Sequence, residues 1–319
     1  MKALVTSNLP KEIIAMLTAE HEVVVNSHDR PMPREDILAN IADKDGLLCT
    51  VGDRIDDELM EKAPNLRIIA NYGVGYDNID LAAATARGIW VSNTPGVLTD
   101  ATADLTFGLM LAVARRMGEG EAMLRAGEWK HWAPLLFLGT HVTGKTLGII
   151  GLGQIGKAVA HRAFGFNMRI LYHNRRRIDE KEEKDLNATY ADLKTLLSQA
   201  DFVSLHVTLT NETRHLIGAP ELDYMKPTAY LINASRGPVV DEKALVEALR
   251  AKKIAGAGLD VYENEPALTP GLSDLRNAVL LPHMGSATLE TRTAMAKLAA
   301  ENLLEGLKGV PPRNCLNCV

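Results

Sequence analysis

The sequence predicts an α/β protein built from two doubly wound domains, each a parallel sheet covered by helices on both faces. Three observations carry that prediction. Short runs rich in Val, Ile and Leu alternate with longer amphipathic segments along nearly the whole chain, the pattern of strands buried on both faces. The alternation comes in two blocks within 319 residues, more than a single core usually serves. In the second block a glycine-rich hexapeptide, Gly151–Gly156, joins an apolar run to an amphipathic one.

The first block opens on a strand at Ala3–Thr6, too brief an apolar run for a secretory leader. Strands follow at Glu22–Val25, Gly46–Cys49, Arg67–Ala70 and Trp90–Ser92, with helices at Lys11–Ala19, Arg34–Ile41 and Asp57–Lys62 between them. The second block repeats the plan. Its strands are expected at Thr146–Gly151, Met168–Tyr172, Phe202–His206, Ala229–Asn233, Ala257–Asp260 and Ala278–Leu281, and its helices at Ile155–Phe164, Ala191–Ser198 and Asp241–Ala251. The two longest helical patterns, Thr99–Met117 and Thr288–Leu307, each follow a strand block. They read as connectors through which the chain leaves the first domain and returns to it, giving domains at 1–98 plus 287–319 and at 99–286. Paired crossings of this kind make a hinge, and ligands favour the cleft of a hinged pair.

Composition narrows the function. Apolar residues make up 46% and charged residues 24%, enough for a core and too few polar residues for wholesale disorder. A formal charge of −5 argues against binding to nucleic-acid backbones or anionic lipid surfaces. The most apolar stretch, Leu105–Ala114, lies between Asp100 and Asp104 on one side and Arg115 and Arg116 on the other, and is too short for a bilayer. Three cysteines make a disulfide framework unexpected and fit a reducing compartment, so a cytoplasmic, soluble protein is expected. The terminal Cys315-Leu316-Asn317-Cys318 has no histidine or second cysteine pair to complete a metal site and reads as incidental; no metal is expected.

The strongest motif is Gly151-Leu152-Gly153-Gln154-Ile155-Gly156. It follows the strand ending at Ile150 and opens a helix whose apolar face includes Ile155, Val159 and Ala163, the context that marks a dinucleotide site. Gly151 permits the turn, Gly153 lets backbone approach a pyrophosphate, and Gly156 allows close helix–strand packing. Gly73-Val74-Gly75 also follows a strand but has Asn78 at the third glycine position. An NAD site would place a carboxylate about 20 residues on. Here the next strand runs into His173-Asn174-Arg175-Arg176-Arg177, and the first carboxylate is Asp179. Guanidinium groups bind a 2′-phosphate through charge-assisted pairs. NADPH is therefore the expected preferred cofactor, with Arg175 and Arg176 on the phosphate, Asn174 assisting, and NADH expected to be weaker. The alternative is a solvated basic loop leading into the acidic stretch Asp179–Glu183.

Three loops carry polar residues at the ends of later strands: Asn233-Ala234-Ser235-Arg236-Gly237, Gly258 to Pro266, and Leu281 to Ser286. Ligands sit outside the carboxyl ends of strands in open parallel sheets. Hydride transfer to a 2-keto acid needs a cation for the carboxylate, a proton donor for the developing alkoxide, and a partner that keeps the donor protonated. Arg236, His283 and Glu265 are the residue types for those roles.

These loops, with the glycine hexapeptide, resemble the D-isomer-specific 2-hydroxyacid dehydrogenase family over essentially the full chain. The similarity to its glyoxylate/hydroxypyruvate reductase branch is carried by residues 46–53, 71–80, 146–156, 233–240, 258–266 and 280–288. The resemblance implies a flavodoxin-like substrate domain and a Rossmann nucleotide domain. It implies that Arg236 binds and polarises substrate, that His283 is the acid/base, and that Glu265 orients it. Backbone amides at Val74 and Gly75 would hold the carboxylate, with Val51 and Gly52 lining the pocket. Thr102, Val207, Thr208, Ala234, Asp260, His283 and Gly285 would face the cofactor alongside Gly151, Gly153, Gln154, Ile155 and Gly156, with Asp260 receiving the carboxamide. The segment Gly127–Leu138 resembles one that enters a neighbouring subunit in eukaryotic members; Trp132, rather than Trp129, is the match, and a homodimer is implied. Plain interface packing is the alternative for both tryptophans.

The expected activity is NADPH-dependent reduction of small 2-keto acids, glyoxylate and hydroxypyruvate first. A 2-ketogluconate or phosphite substrate lies within the same class. A corepressor-like binding protein that senses NAD(P) is the alternative from another class. It would be expected to carry extra terminal segments, which the sequence leaves no room for.

Overall fold

Two all-parallel sheets organise the chain in the computed structural model, which describes residues 1–318. The elements run β1 (Lys2–Val5), α1 (Lys11–Thr18), β2 (Glu22–Val25), α2 (Arg34–Asn40), β3 (Gly46–Thr50), α3 (Asp57–Glu61), β4 (Ile68–Tyr72), α4 (Leu81–Ala86) and β5 (Trp90–Ser92). Next come α5 (Thr99–Ala114), α6 (Met117–Arg125), β6 (Thr146–Ile150), α7 (Gln154–Phe164), β7 (Arg169–His173), α8 (Glu180–Asp185) and β8 (Ala188–Tyr190). The chain continues through α9 (Leu193–Gln199), β9 (Phe202–Leu205), α10 (Ala219–Tyr224), β10 (Tyr230–Asn233), α11 (Glu242–Arg250), β11 (Gly256–Leu259), β12 (Ala278–Leu280) and α12 (Leu289–Leu307). Two compact units result, one from Met1–Leu98 with the residues from Ser286 onward, the other Thr99–Gly285. Among the described residues no helix is long and apolar enough to cross a membrane.

In the first unit the strand order is β2-β1-β3-β4-β5, the flavodoxin-like order, whose direction reverses between β1 and β3. Alternate side chains explain the unbroken apolar runs. On β3, Leu47 and Cys49 face one buried layer with Ile37, Leu59 and Ile69. Leu48 faces the other, with Ile68, Ala70 and residues of α12. The small residues Ala296, Ala299 and Ala300 let α12 lie close to the sheet, and a Cβ on Gly306 would collide with Ile68. Leu303 and Leu307 are fully buried there, each contributing about 1.5–3 kcal/mol relative to exposure.

The second unit orders its strands β12-β11-β10-β9-β6-β7-β8, with the reversal at β6, between β7 and β9. Two buried layers again flank the sheet, one with Leu147, Ile149, Ile170 and Phe202, the other with Ile150, Val203, Leu205 and Leu231.

The structure departs from the sequence reading at several places. The predicted helix Thr99–Met117 stops at Ala114. Arg116 takes a left-handed conformation (φ 54°), stacks 5.0 Å over the Phe137 ring and pairs with Glu119. The Thr140 amide meanwhile bonds the Ala114 carbonyl at 2.8 Å, so the returning chain occupies the space where the helix would continue. Strand β8 was not foreseen because it is a three-residue edge strand. Asp179 caps α8 through the Lys181 amide (2.9 Å), making a helix of the acidic stretch that follows the arginines. Asp192 caps α9 at Thr195, which moves the predicted start at Ala191 to Leu193.

The largest correction concerns the terminal cysteines. Cys315 and Cys318 form a disulfide with Cα atoms 5.7 Å apart, and Cys49 is a buried free thiol. The tail that holds the pair lies along β5, the outer strand of its sheet. Leu316 donates to the Val91 carbonyl at 2.7 Å, and the Asn317 amide side chain accepts from Val91 N and donates to Ile89 O, each at 2.9 Å.

Candidate active site

In the first unit the loops after β3 and β4 are fixed by a polar network. Asp53 is buried; its Oδ2 accepts from the Thr50 amide (2.7 Å) and the Thr6 hydroxyl (2.6 Å). Asn78 donates to the Thr50 and Asp53 carbonyls. Asn71 donates to the Gly75 carbonyl at 2.7 Å, and Asn93 to that of Val74 at 2.8 Å. A Cβ on Gly73 would strike Val51, so the turn that leads into Val74–Gly75 packs against Val51. With the two carbonyls tied back, the amides of Val74 and Gly75 take no partner in the described bonds. Such a pair suits a carboxylate oxygen.

In the second unit the glycine turn sits at the carboxyl end of β6. Gly151 has φ 96°, a conformation that favours glycine, and a Cβ there would press on His206 and Val207. A Cβ on Gly156 would overlap the Gly151 carbonyl, while one on Gly153 would meet nothing within 4 Å. The two outer glycines are thus required by the fold itself, and Gly153 leaves an open approach to backbone. Helix α7 starts at Gln154 with no side-chain cap, so the first-turn amides of Gln154, Ile155 and Gly156 point outward with the positive dipole end. This cradle fits a pyrophosphate.

Asn174 has a structural partner: its Oδ1 accepts from the Leu152 amide at 2.7 Å, holding the turn. Arg175 and Arg176 are exposed and enter no ion pair among the described residues. The third arginine of the run, Arg177, is committed to Glu183 through two 2.7 Å bonds. Together with the Tyr172 hydroxyl, that guanidinium holds the Glu183 carboxyl down at about 2.

The polar loops of β10, β11 and β12 converge. The His283 Nδ1–H donates to Glu265 Oε2 at 2.7 Å, which leaves Nε2 out of that bond. Glu265 Oε1 accepts the Tyr262 amide at 2.9 Å, and its peptide with Pro266 is cis. Burial pushes the Glu265 carboxyl up, but the bond and charge of His283, the Tyr262 amide and the charge of Arg236 outweigh it, so its pKa is lowered. Arg236, on the loop after β10, donates from Nη1 to the Ser235 carbonyl at 2.9 Å. The loop is shaped by Asn233, which donates to the Arg236 carbonyl at 2.9 Å and accepts from the Ser235 amide at 3.0 Å.

Asp260 is buried, and its two oxygens accept the Met284 and Gly285 amides at 2.7 and 2.8 Å, clamping the His283 loop. Burial raises its pKa despite those bonds and the nearby His283 charge. A Cβ on Gly285 would touch both Asp260 and Thr102, so these three form one wall. Val207 lies against the Gly151 turn. The Thr208 carbonyl accepts the Thr213 hydroxyl at 2.7 Å. Ala234 is half-buried beside Asn233. Trp129 and Trp132 stand apart, 52% and 76% exposed, with Leu135 and Leu138 also exposed in the same segment.

Two features of this unit escaped the sequence reading. His206, at the end of β9, bonds Ser204 Oγ through Nε2 at 2.8 Å while its buried Nδ1 has no partner; burial pushes its pKa down to about 4. The other is a set of acidic side chains behind the Glu265 loop, Glu242 and Glu263. A glutamate in the first turn of a helix reads from sequence as a dipole partner, which hides Glu242.

Comparison with known proteins gives consistent relatives. The family model described as D-isomer specific 2-hydroxyacid dehydrogenase, NAD binding domain, matches residues 107–285. A glyoxylate reductase of Thermococcus litoralis is 52% identical over 320 residues, covering 99% of this chain and 96% of the relative. The crystal structure of the TT0316 protein from Thermus thermophilus superimposes with a TM-score of 0.92 at 48% identity, over 99% of this chain and 100% of that one. An NADPH-dependent glyoxylate/hydroxypyruvate reductase from Sinorhizobium meliloti, in complex with NADP and malonate, gives a TM-score of 0.86 at 35% identity, with 99% and 96% covered.

Proposed function

Because this chain belongs to the D-isomer specific 2-hydroxyacid dehydrogenases and is an NAD(P)-dependent oxidoreductase, we propose that it reduces glyoxylate, and hydroxypyruvate beside it, with NADPH preferred over NADH. The observation that carries this reading is the 2.7 Å bond between His283 Nδ1 and Glu265 Oε2, with the charge of Arg236 acting on the same carboxylate. Residues 1–98 with the C-terminal segment form the substrate domain in this reading, and 99–286 the nucleotide domain.

The bound nicotinamide supplies hydride. The first-turn amides of α7 would hold its pyrophosphate at Gly153, and Arg175 and Arg176 would take the 2′-phosphate, with Asn174 assisting by fixing the turn. Asp260 would receive the carboxamide, and Thr102, Ala234, Gly285, Val207 and Thr208 would face the cofactor. Arg236 is assigned the substrate carboxylate and draws electron density from the carbonyl; within the first unit, the amides of Val74 and Gly75, with Val51 and Gly52, are the candidate anion donors. Glu265 fixes the His283 tautomer and stabilises the imidazolium, so Nε2–H is positioned to give its proton to the carbonyl oxygen as the alkoxide develops. With the hydride on C2 and the proton on oxygen, a 2-keto acid becomes a 2-hydroxy acid.

Steady-state turnover of a 2-keto acid panel with each cofactor tests the reading. It expects glyoxylate or hydroxypyruvate to lead and kcat/KM to favour NADPH; a preference for NADH overturns the phosphate assignment, and turnover confined to larger sugar acids overturns the substrate. The exposed Trp129, Trp132, Leu135 and Leu138 support a homodimer, because apolar side chains grouped on one segment mark an interface. Sedimentation of wild type and Trp132→Ala checks this; a monomer throughout excludes it.

A further inference from the structure

We propose that Glu242 is a positioning residue for the reduction, a buried bracket that holds the Arg236 loop and the Glu265 loop in fixed register. The proposal rests on the roles assigned above to Arg236, Glu265 and His283. Glu242 is the first residue of α11, which begins just beyond the short 3₁₀ turn Gly237–Val239 that follows Arg236. It is 2% exposed, and both carboxylate oxygens are used. Oε1 accepts the Glu263 amide at 2.7 Å, and Oε2 accepts the Thr269 hydroxyl at 2.6 Å. Glu263 returns the contact, its Oε2 accepting the Glu242 amide at 3.3 Å. Each glutamate therefore satisfies the other's backbone N–H.

The exchange matters because of where the two loops lie. A Cβ on Gly237 would overlap the backbone of Tyr262 and Glu263, so the loops already touch main chain to main chain. Glu263 stands two residues before Glu265, and Glu265 is itself anchored by the Tyr262 amide. Releasing the Glu263 amide frees the strand of chain that aims Glu265 at His283. A third group closes the set: His215, left-handed at φ 52°, donates its amide to the Pro238 carbonyl at 2.8 Å and places Nε2 2.5 Å from Glu263 Oε1. His215 is 42% exposed, and exposed ion pairs contribute little. Glu242, buried and fully bonded, is where a loss would be felt, because a buried N–H left unpaired costs free energy. The titratable and charged groups linked to the bracket are Glu263 and His215 directly, and Glu265, His283, Asp260 and Arg236 through the loops.

The test compares Glu242→Ala, which removes the acceptors, with Glu242→Gln, which keeps an amide oxygen for the Glu263 N–H. Misplacement of about 1 Å near reacting atoms costs up to 100-fold, so kcat for keto-acid reduction should fall roughly 10- to 100-fold in the alanine variant. Its alkaline limb should move to lower pH as Glu265 loosens from His283. The glutamine variant should recover to within about threefold of wild type, and NADPH binding should not change in either. A folded alanine variant with the wild-type limb and kcat overturns the proposal. Where that variant does not fold, Thr269→Val, which frees Oε2, should show a smaller shift in the same direction; no shift overturns it equally. Amide exchange of residues 262–265 without substrate should accelerate in the alanine or valine variant and not in the glutamine variant. A wild type that reduces no 2-keto acid refutes the function proposed above, and this exchange comparison still decides the bracket.

Discussion

Placing one methyl group at either of two glycines separates what the α7 turn does for the fold from what it does for the nucleotide. At Gly156 a Cβ falls under 3.0 Å from the Gly151 carbonyl, a backbone atom that cannot swing aside. Gly156→Ala therefore pushes the helix off β6, and overpacking of this sort costs about 1–3 kcal/mol. At Gly153 the backbone is extended (φ −85°, ψ −157°) and the same methyl meets open space. Losing the N-cap preference of glycine costs under about 1 kcal/mol, so the fold should hardly notice. Pyrophosphate would notice, since the methyl occupies the approach to the Gln154 and Ile155 amides. Two charge-assisted bonds at about 1.5 kcal/mol each amount to roughly a 100-fold weaker Kd. Urea unfolding gives the stability of both variants, and nucleotide fluorescence titration gives Kd. The expected pattern is crossed: Gly153→Ala stable with weak NADPH binding, Gly156→Ala destabilised. Wild-type NADPH affinity in Gly153→Ala refutes the placement of the pyrophosphate on this helix.

Other expectations concern charge. Arg175→Ala with Arg176→Ala should lower kcat/KM for NADPH about 10- to 100-fold while changing the NADH value little, measured by initial rates with each cofactor. Glu265→Gln should lower kcat about 10- to 100-fold and shift the alkaline limb of reduction to lower pH; an unshifted limb speaks against the carboxylate supporting the His283 proton. Half-buried His206 contributes an acid-sensitive part of the stability. The unfolded chain takes up its proton near 6.5 and the folded chain only near 4. Between those values the unfolded state holds more protons, so stability rises with pH and is lost on acidification across that window. The group accounts for about 3 kcal/mol between pH 7 and pH 4. Denaturant midpoints of His206→Gln should be flatter with pH there than those of wild type.

The sequence was most informative where backbone geometry or two-sided burial restricts the choice of residue. Gly151 and Gly156 are such positions, and Leu47–Cys49 on β3 shows why parallel strands read as unbroken apolar runs. Short edge elements were illegible: the three residues of β8 carry no period, and the acidic run at α8 looks like any solvated loop until Asp179 is seen capping it. Residue type also fails where one side chain suits two partners. Asn174 fits a phosphate as readily as the Leu152 amide, and only coordinates distinguish them. The reading of the terminal cysteines missed their pairing because three cysteines in so long a chain argued against any disulfide, while the two that pair are only three residues apart. Glu242 was hidden for a different reason, since its partner Glu263 reaches it from the loop after β11.

That tail has a bearing on how the molecule behaves in company. An uncovered outer strand offers bare amides and carbonyls to any neighbour able to add a strand of its own. Here Val91 has already spent its amide on Asn317 and its carbonyl on Leu316. The guard is a short tail closed by the Cys315–Cys318 disulfide, so this one edge of the sheet is covered by a segment whose clasp thiols can open.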